Sequence, residues 1–165
     1  YGSGGNYTPG TPGVPGSCGG MALKDAQPAQ CQLTSAALSG MLSCMKNAGL
    51  NGPINSITSR RVGGYAQRLL NCCDRGKYDR GTCGHSRGSC HYGCSVEPGR
   101  SHAVDYDIVG NESDATLCQI AEAAHACGSG RILGPKNISC SNGASITGLA
   151  GHSGHLHIPT AQCGK

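Results

Sequence analysis

Apolar residues follow two rhythms along this chain. One repeats every three or four positions, and the other alternates. Leu38, Met41, Leu42 and Met45 form a stripe along one face of a helix predicted over residues 31–48. Thr34 or Ser35 can cap its start, and Gly49 is a suitable stop. Leu117, Ile120, Ala121 and Ala124 repeat the stripe behind Ser113 or Asp114, with Gly128 closing that helix after Cys127. A shorter helix over 65–73 carries Leu69 and Leu70 inward. Alternation marks the strands. Over 101–109, Val104, Tyr106 and Ile108 share one face, and Ala103, Asp105 and Asp107 share the other. Over 151–158, Leu156 and Ile158 face one way, and His155 and His157 the other. Residues 54–59, 131–133 and 145–147 are further short strands. The order predicts an α+β fold, a small antiparallel sheet with helices on one face.

Composition adds cross-links to this picture. The chain has neither Trp nor Phe and carries 28 Gly in 165 residues, so its core buries little area per side chain. Twelve cysteines offset that shortfall. They predict a disulfide-rich, secreted or extracellular protein with up to six bridges of undetermined pairing. The triplets at Asn6, Asn111 and Asn137 are acceptor sites for N-glycosylation and fit that setting. No leader is evident, as expected of a mature, processed chain, and no apolar run is long enough to span a membrane. Residues 1–20 form a Gly/Pro-rich arm or linker ahead of a single domain over 21–165. Such an arm either wraps its own domain or docks on a neighbouring copy. The net charge of +4 is mild, and its basic residues are scattered along the sequence with no aromatic platform between them. That argues against nucleic acid as a partner, while leaving attraction to anionic cell-wall polymers.

The candidate chemistry lies on the polar strand faces. His152, His155 and His157 put three imidazoles in six residues, two of them on one strand face, which is a metal-site pattern. Asp105 and Asp107 sit mid-strand, where a buried carboxylate needs a partner or a cation; otherwise that face is exposed. Cys90 and Cys94 flank His91, and disulfides there would fix the loop that carries it. An alternative makes Cys83, His85, Cys90 and Cys94 a zinc knuckle, although their spacing matches no common zinc motif.

Taken in order, Ile57-Thr58-Ser59-Arg60-Arg61, Ser89-Cys90-His91, Ala103-Val104-Asp105 and His155-Leu156-His157-Ile158 resemble the motifs of a zinc peptidase superfamily. That superfamily joins D-alanyl-D-alanine metallopeptidases, murein endopeptidases, lysostaphin-type enzymes and the hedgehog amino-terminal domain. The D-alanyl-D-alanine branch is the nearer likeness, and the lysostaphin-type branch, which also ends in a glycine-rich HLH segment, is its competitor. The resemblance implies a hedgehog-like or D-alanyl-D-alanine-peptidase-like fold with zinc held by His91, Asp105 and His157. His155 would flank the metal, and His152 matches an extra histidine of the murein endopeptidases. Other branches place a carboxylate just upstream of the final histidines; none lies between Asn137 and His155, so histidine would be the base. Arg60 or Arg61 would bind a substrate carboxylate. The family usually places its first His and Asp closer together than the fourteen residues separating His91 and Asp105. A disulfide-closed insertion would absorb the difference. A register using His102 with Asp105 would put the two on opposite strand faces. The implied function is hydrolysis of peptidoglycan or similar cell-wall peptides. Two other readings are an extracellular fibre or coat subunit whose arm docks on the next copy, and a binding module without turnover.

Overall fold

The computed structural model describes residues 10–164. Within them, α1 (Pro28–Cys31), α2 (Ala36–Asn47), α3 (Ala66–Asn71), α4 (Arg80–Cys83) and α5 (Asp114–Ala126) alternate with six strands. These are β1 (Ile54–Ser56), β2 (Ala103–Asp107), β3 (Ile132–Gly134), β4 (Ile138–Ser139), β5 (Ser145–Gly148) and β6 (His155–Pro159). Ser35 and Ser113 are the N-caps of the two long helices, each accepting a backbone N–H three residues on. The first helix is shorter than its stripe suggested. Pro28 starts a separate turn, and Leu33–Thr34 link that turn to α2.

The α+β expectation holds, but the sheet is mixed rather than antiparallel. Its order is β1-β2-β6-β3-β5-β4, and β3 pairs with β5 in parallel. The cause is β4, a two-residue strand with no readable pattern. The chain reverses into β4 and reverses again into β5, so β5 returns beside β3 in the same direction.

Apart from a register shift between Ile54 and Ser56 in β1, the pairing keeps one set of faces across the sheet. Ile54, Tyr106, Val104, Leu156, Ile158, Ile132, Ile146 and Ile138 point to one side and join α2 and α5 in the main core. Leu38, Leu42 and Met45 of α2 are wholly buried there, and each such burial stabilises by about 1.5–3 kcal/mol. Asp105 stands opposite His157, which stands opposite Leu133, which stands opposite Thr147, forming one row on the other side. A smaller core of Leu33, Val62, Leu69, Cys72, Cys83 and Tyr92 holds a lobe beside β1 that contains α3 and α4.

Six disulfides use all twelve cysteines, as an oxidising compartment allows. This removes the zinc-knuckle alternative, because Cys83, Cys90 and Cys94 are all bridged. No helix among the described residues is long and apolar enough to cross a membrane. Residues 10–20 lie on their own chain. Gly13 N–H donates to Ala36 O at 2.8 Å, Gly16 N–H to Thr34 O at 3.1 Å, and the Ser39 hydroxyl to Val14 O. A side chain on Gly40 would strike the Thr11 carbonyl, so the arm can approach α2 only over glycine. Asn111 and Asn137 are exposed, and Asn6 lies outside the described residues.

Candidate metal centre

The row on the open side of the sheet ends in a cleft of about 780 Å³. Its floor is Asp105, 6% exposed, with histidines gathered around one carboxylate oxygen. Asp105 Oδ1 lies 3.1 Å from His91 Nε2, 3.4 Å from His157 Nδ1 and 3.8 Å from His155 Nε2. Three elements deliver these groups. The antiparallel pairing of β2 and β6 sets Asp105 against His157 and Asp107 against His155. His91 arrives from a loop fastened on both sides of it, by Cys90–Cys163 and Cys73–Cys94. The wide spacing between His91 and Asp105 is taken up by a turn at Gly93, where any side chain would strike the Glu97 and Arg100 carbonyls.

Charge on the floor is settled by these neighbours. Burial disfavours a charged Asp105, but His91 and His157 beside it hold its carboxyl well below the usual range. His91 is buried too, yet the Asp105 charge and hydrogen bonds to Asp105 and Ile57 O raise its pKa. A carbonyl can only accept, so Nδ1 of His91 is the donor to Ile57 O at 2.7 Å, and Nε2 faces Asp105. Burial lowers the pKa of His155 and of His157, leaving neutral imidazoles with free lone pairs. His152 is half-buried at the lip, its ring 4.9 Å from that of His155 and 6.1 Å from that of His157.

One member of the cluster has no role in the sequence reading beyond the knuckle alternative. His85 stacks on His91 with centroids 3.7 Å apart and planes 5° from parallel. Its Nε2 lies 3.0 Å from Ser56 Oγ, and its backbone is clasped by the hydroxyls of Tyr78 and Tyr92. Burial, with His91 alongside, pushes its pKa down to about 3. Its position was readable only as two residues after Cys83 and five before Cys90, in a loop whose bridges the sequence does not specify.

His85, His91 and Asp105 each bring a ligand atom within 4.8 Å of one another, a grouping able to hold a metal ion. The ring planes discriminate further. A metal lies in the plane of each imidazole that binds it, and two parallel rings stacked face to face share no such point. His157 meets His91 at 61° and suffers no such conflict. Two donors at about 2.0–2.1 Å from a tetrahedral zinc lie roughly 3.3 Å apart. The separations of 3.1 and 3.4 Å around Asp105 Oδ1 straddle that value. His91 and His157 each stand at such a separation from Asp105 Oδ1, with His85 as the wall behind His91.

The remaining candidates fall elsewhere. Asp107 pairs with Lys24 at 3.3 Å and accepts from Asn55, so its charge has a structural partner. His102 points away from Asp105 and is held between Thr160 Oγ1 and Glu97 Oε1. Arg60 and Arg61 line a separate depression over α3 and α4, outside the cleft. The cleft has cations of its own in Arg80, Arg87 and Arg131, and Asp105 is the one carboxylate among its lining residues. Cys118, Glu122 and Cys140 also cluster, but those two sulfurs are bonded to each other and offer no thiolate. No protein-family model, curated protein or solved structure matches the chain.

Proposed function

We propose that this chain is a secreted zinc hydrolase of peptide bonds, acting on carboxylate-bearing peptides such as those of peptidoglycan. The observation that carries the reading is Asp105 Oδ1 ringed by three imidazole nitrogens on the floor of a cleft whose other charges are arginines. His91, Asp105 and His157 would hold the ion, two nitrogens and one oxygen being the open type of site. Bound there, a zinc ion would supply an acidified water and would polarise a substrate carbonyl. The protein supplies everything else. Ile57 O fixes the ring orientation and tautomer of His91. His155, neutral at pH 7, is placed to accept a proton on the cleft floor. His155 would return that proton to the leaving amine, with His152, more exposed, in ring contact beside it. Arg131, its Nε 3.3 Å from Thr147 Oγ1, is fixed at the cleft wall to receive a substrate carboxylate.

The described part of the arm gives no support to a fibre built by arm exchange, because Gly13, Val14 and Gly16 are bonded to the chain's own residues 34–39, while residues 1–9 lie outside the described residues. Elemental mass spectrometry of protein purified without added metal tests the proposal. About one zinc per chain is expected, lost in Asp105→Asn and in His157→Ala and kept in His155→Ala. Peptidoglycan digestion should fall about 10²–10⁴-fold in His155→Ala. Absence of metal, or zinc undisturbed by Asp105→Asn, would overturn it.

A further inference from the structure

The net charge of +4 is not evenly spread, although its residues look scattered along the sequence. Residues 60–100 carry eight of the thirteen Lys and Arg but three of the nine Asp and Glu. The rest of the chain is close to neutral. That segment folds mainly as the lobe beside β1, so the fold gathers the charge on one side.

The lobe's three acids do not neutralise it. Asp74 accepts from Gly76 N–H, Asp79 caps α4, and Glu97 is bonded to His102. No ion pair among the described residues involves a Lys or Arg of this segment. Elsewhere, Lys24 and Lys136 do find carboxylates, Asp107 and Asp114. Half of the lobe's cations surround one depression of about 600 Å³. Arg60, Arg61, Arg68 and Lys77 line it with Asn71 and Thr82, over the Cys72–Cys83 bridge, and no acid is among the lining residues.

The depression is braced at Arg68 and along its backbone. Arg68 Nη1 donates to Arg61 O at 3.1 Å, and its guanidinium lies 4.3 Å above the Tyr65 ring. Two disulfides, Cys72–Cys83 and Cys73–Cys94, tie α3 to α4 and to the His91 loop. Four exposed cations gathered with no acid among the lining residues repel one another, and an anionic ligand relieves that repulsion. Helix α4 is the shared wall. Thr82 and Cys83 face the depression, while Arg80 and Gly84 line the metal cleft.

We infer that this lobe is a binding site for an anionic polysaccharide or polyol polymer bearing sulfate or phosphate groups. Its seat is the depression, built from residues the metal centre does not use, and it stands whether or not the cleft is catalytic. Bound there, a polymer holds the chain at an anionic surface with the cleft opening beyond α4.

The test is retention on immobilised heparin and, separately, on a phosphate-linked polyol polymer. The variant Arg60→Gln/Arg61→Gln/Lys77→Gln is compared with Lys24→Gln/Lys46→Gln/Lys136→Gln, which removes the same charge elsewhere. The lobe variant should lose at least tenfold in affinity on one polymer while the second variant stays within about twofold, and the polymer affected identifies the anion. Unchanged near-ultraviolet circular dichroism and zinc content show that the lobe variant is folded and its cleft intact. Equal losses in the two variants, or no loss in either, would overturn the inference. Neither result bears on the hydrolase reading, which Asp105→Asn tests.

Discussion

His85 concentrates the residue-scale logic of the site. It is held neutral against the one buried carboxylate because burial, and His91 in ring contact, outweigh Asp105. The unfolded chain takes a proton on it below about pH 6.5, and the folded chain only near 3. Stability contributed by this residue is therefore lost as pH falls through that window. His91 has the opposite sign: its raised pKa contributes stability below pH 6.5 that is lost as pH rises through its folded value. Urea denaturation of chelator-treated protein measures the balance. In His85→Phe, which keeps a stacked ring, the loss of stability between pH 6.5 and about 4 should be shallower than in the native chain. An unchanged slope would show that His85 is not the group refusing the proton. The alternation that puts His155 and His157 on one face of their strand, and Asp105 on one face of its own, was legible from period two, while the pairing of those two strands was not. His85 was not, since contact with His91 depends on a loop path set by disulfides rather than by any periodicity.

At the scale of elements, the loop carrying His91 has no regular structure of its own and depends on its bridges. Cys90–Cys163 spans 73 residues and ties the His91 loop to the segment after β6, so both sources of imidazole share one tether. Removing it in Cys90→Ala/Cys163→Ala should cost about 2–4 kcal/mol, read by denaturant titration. Zinc affinity should fall as well, by roughly 10–100-fold, because His91 loses its fixed approach to Asp105. A loss of stability with unaltered affinity would show that Ile57 O alone orients the ring. The long helices and β2 and β6 were readable because each carries several full periods and a cap or stop. The two-residue β4 carries less than one period, and the parallel β3–β5 pairing that follows from it was unreadable for that reason. Cysteine number predicted the bridges, while their pairing needed the fold.

For the whole molecule, the division of charge has a thermodynamic cost. The lobe's unpaired cations oppose compaction, and salt screens that repulsion. The thermal midpoint should therefore rise as salt goes from about 0.01 to about 0.15 M, where the screening length shrinks from about 30 to about 8 Å. The variant Arg60→Gln/Arg61→Gln/Lys77→Gln should respond less. A midpoint that falls with salt would mean that the pairs of Lys24 and Lys136 outweigh the lobe. The excess over residues 60–100 can be counted in the sequence, but the gathering of Arg60, Arg61, Arg68 and Lys77 around one depression needed the fold.

The glycine seam between the arm and α2 also fixes a direction. Gly10 lies against Gly128 at the end of α5, on the helical side of the sheet, while the histidines open on the other side. A bead, dye or carrier coupled on the helical side would leave the cleft facing the medium. The molecule has a handle and an edge on opposite faces, and it can be held by the one without covering the other.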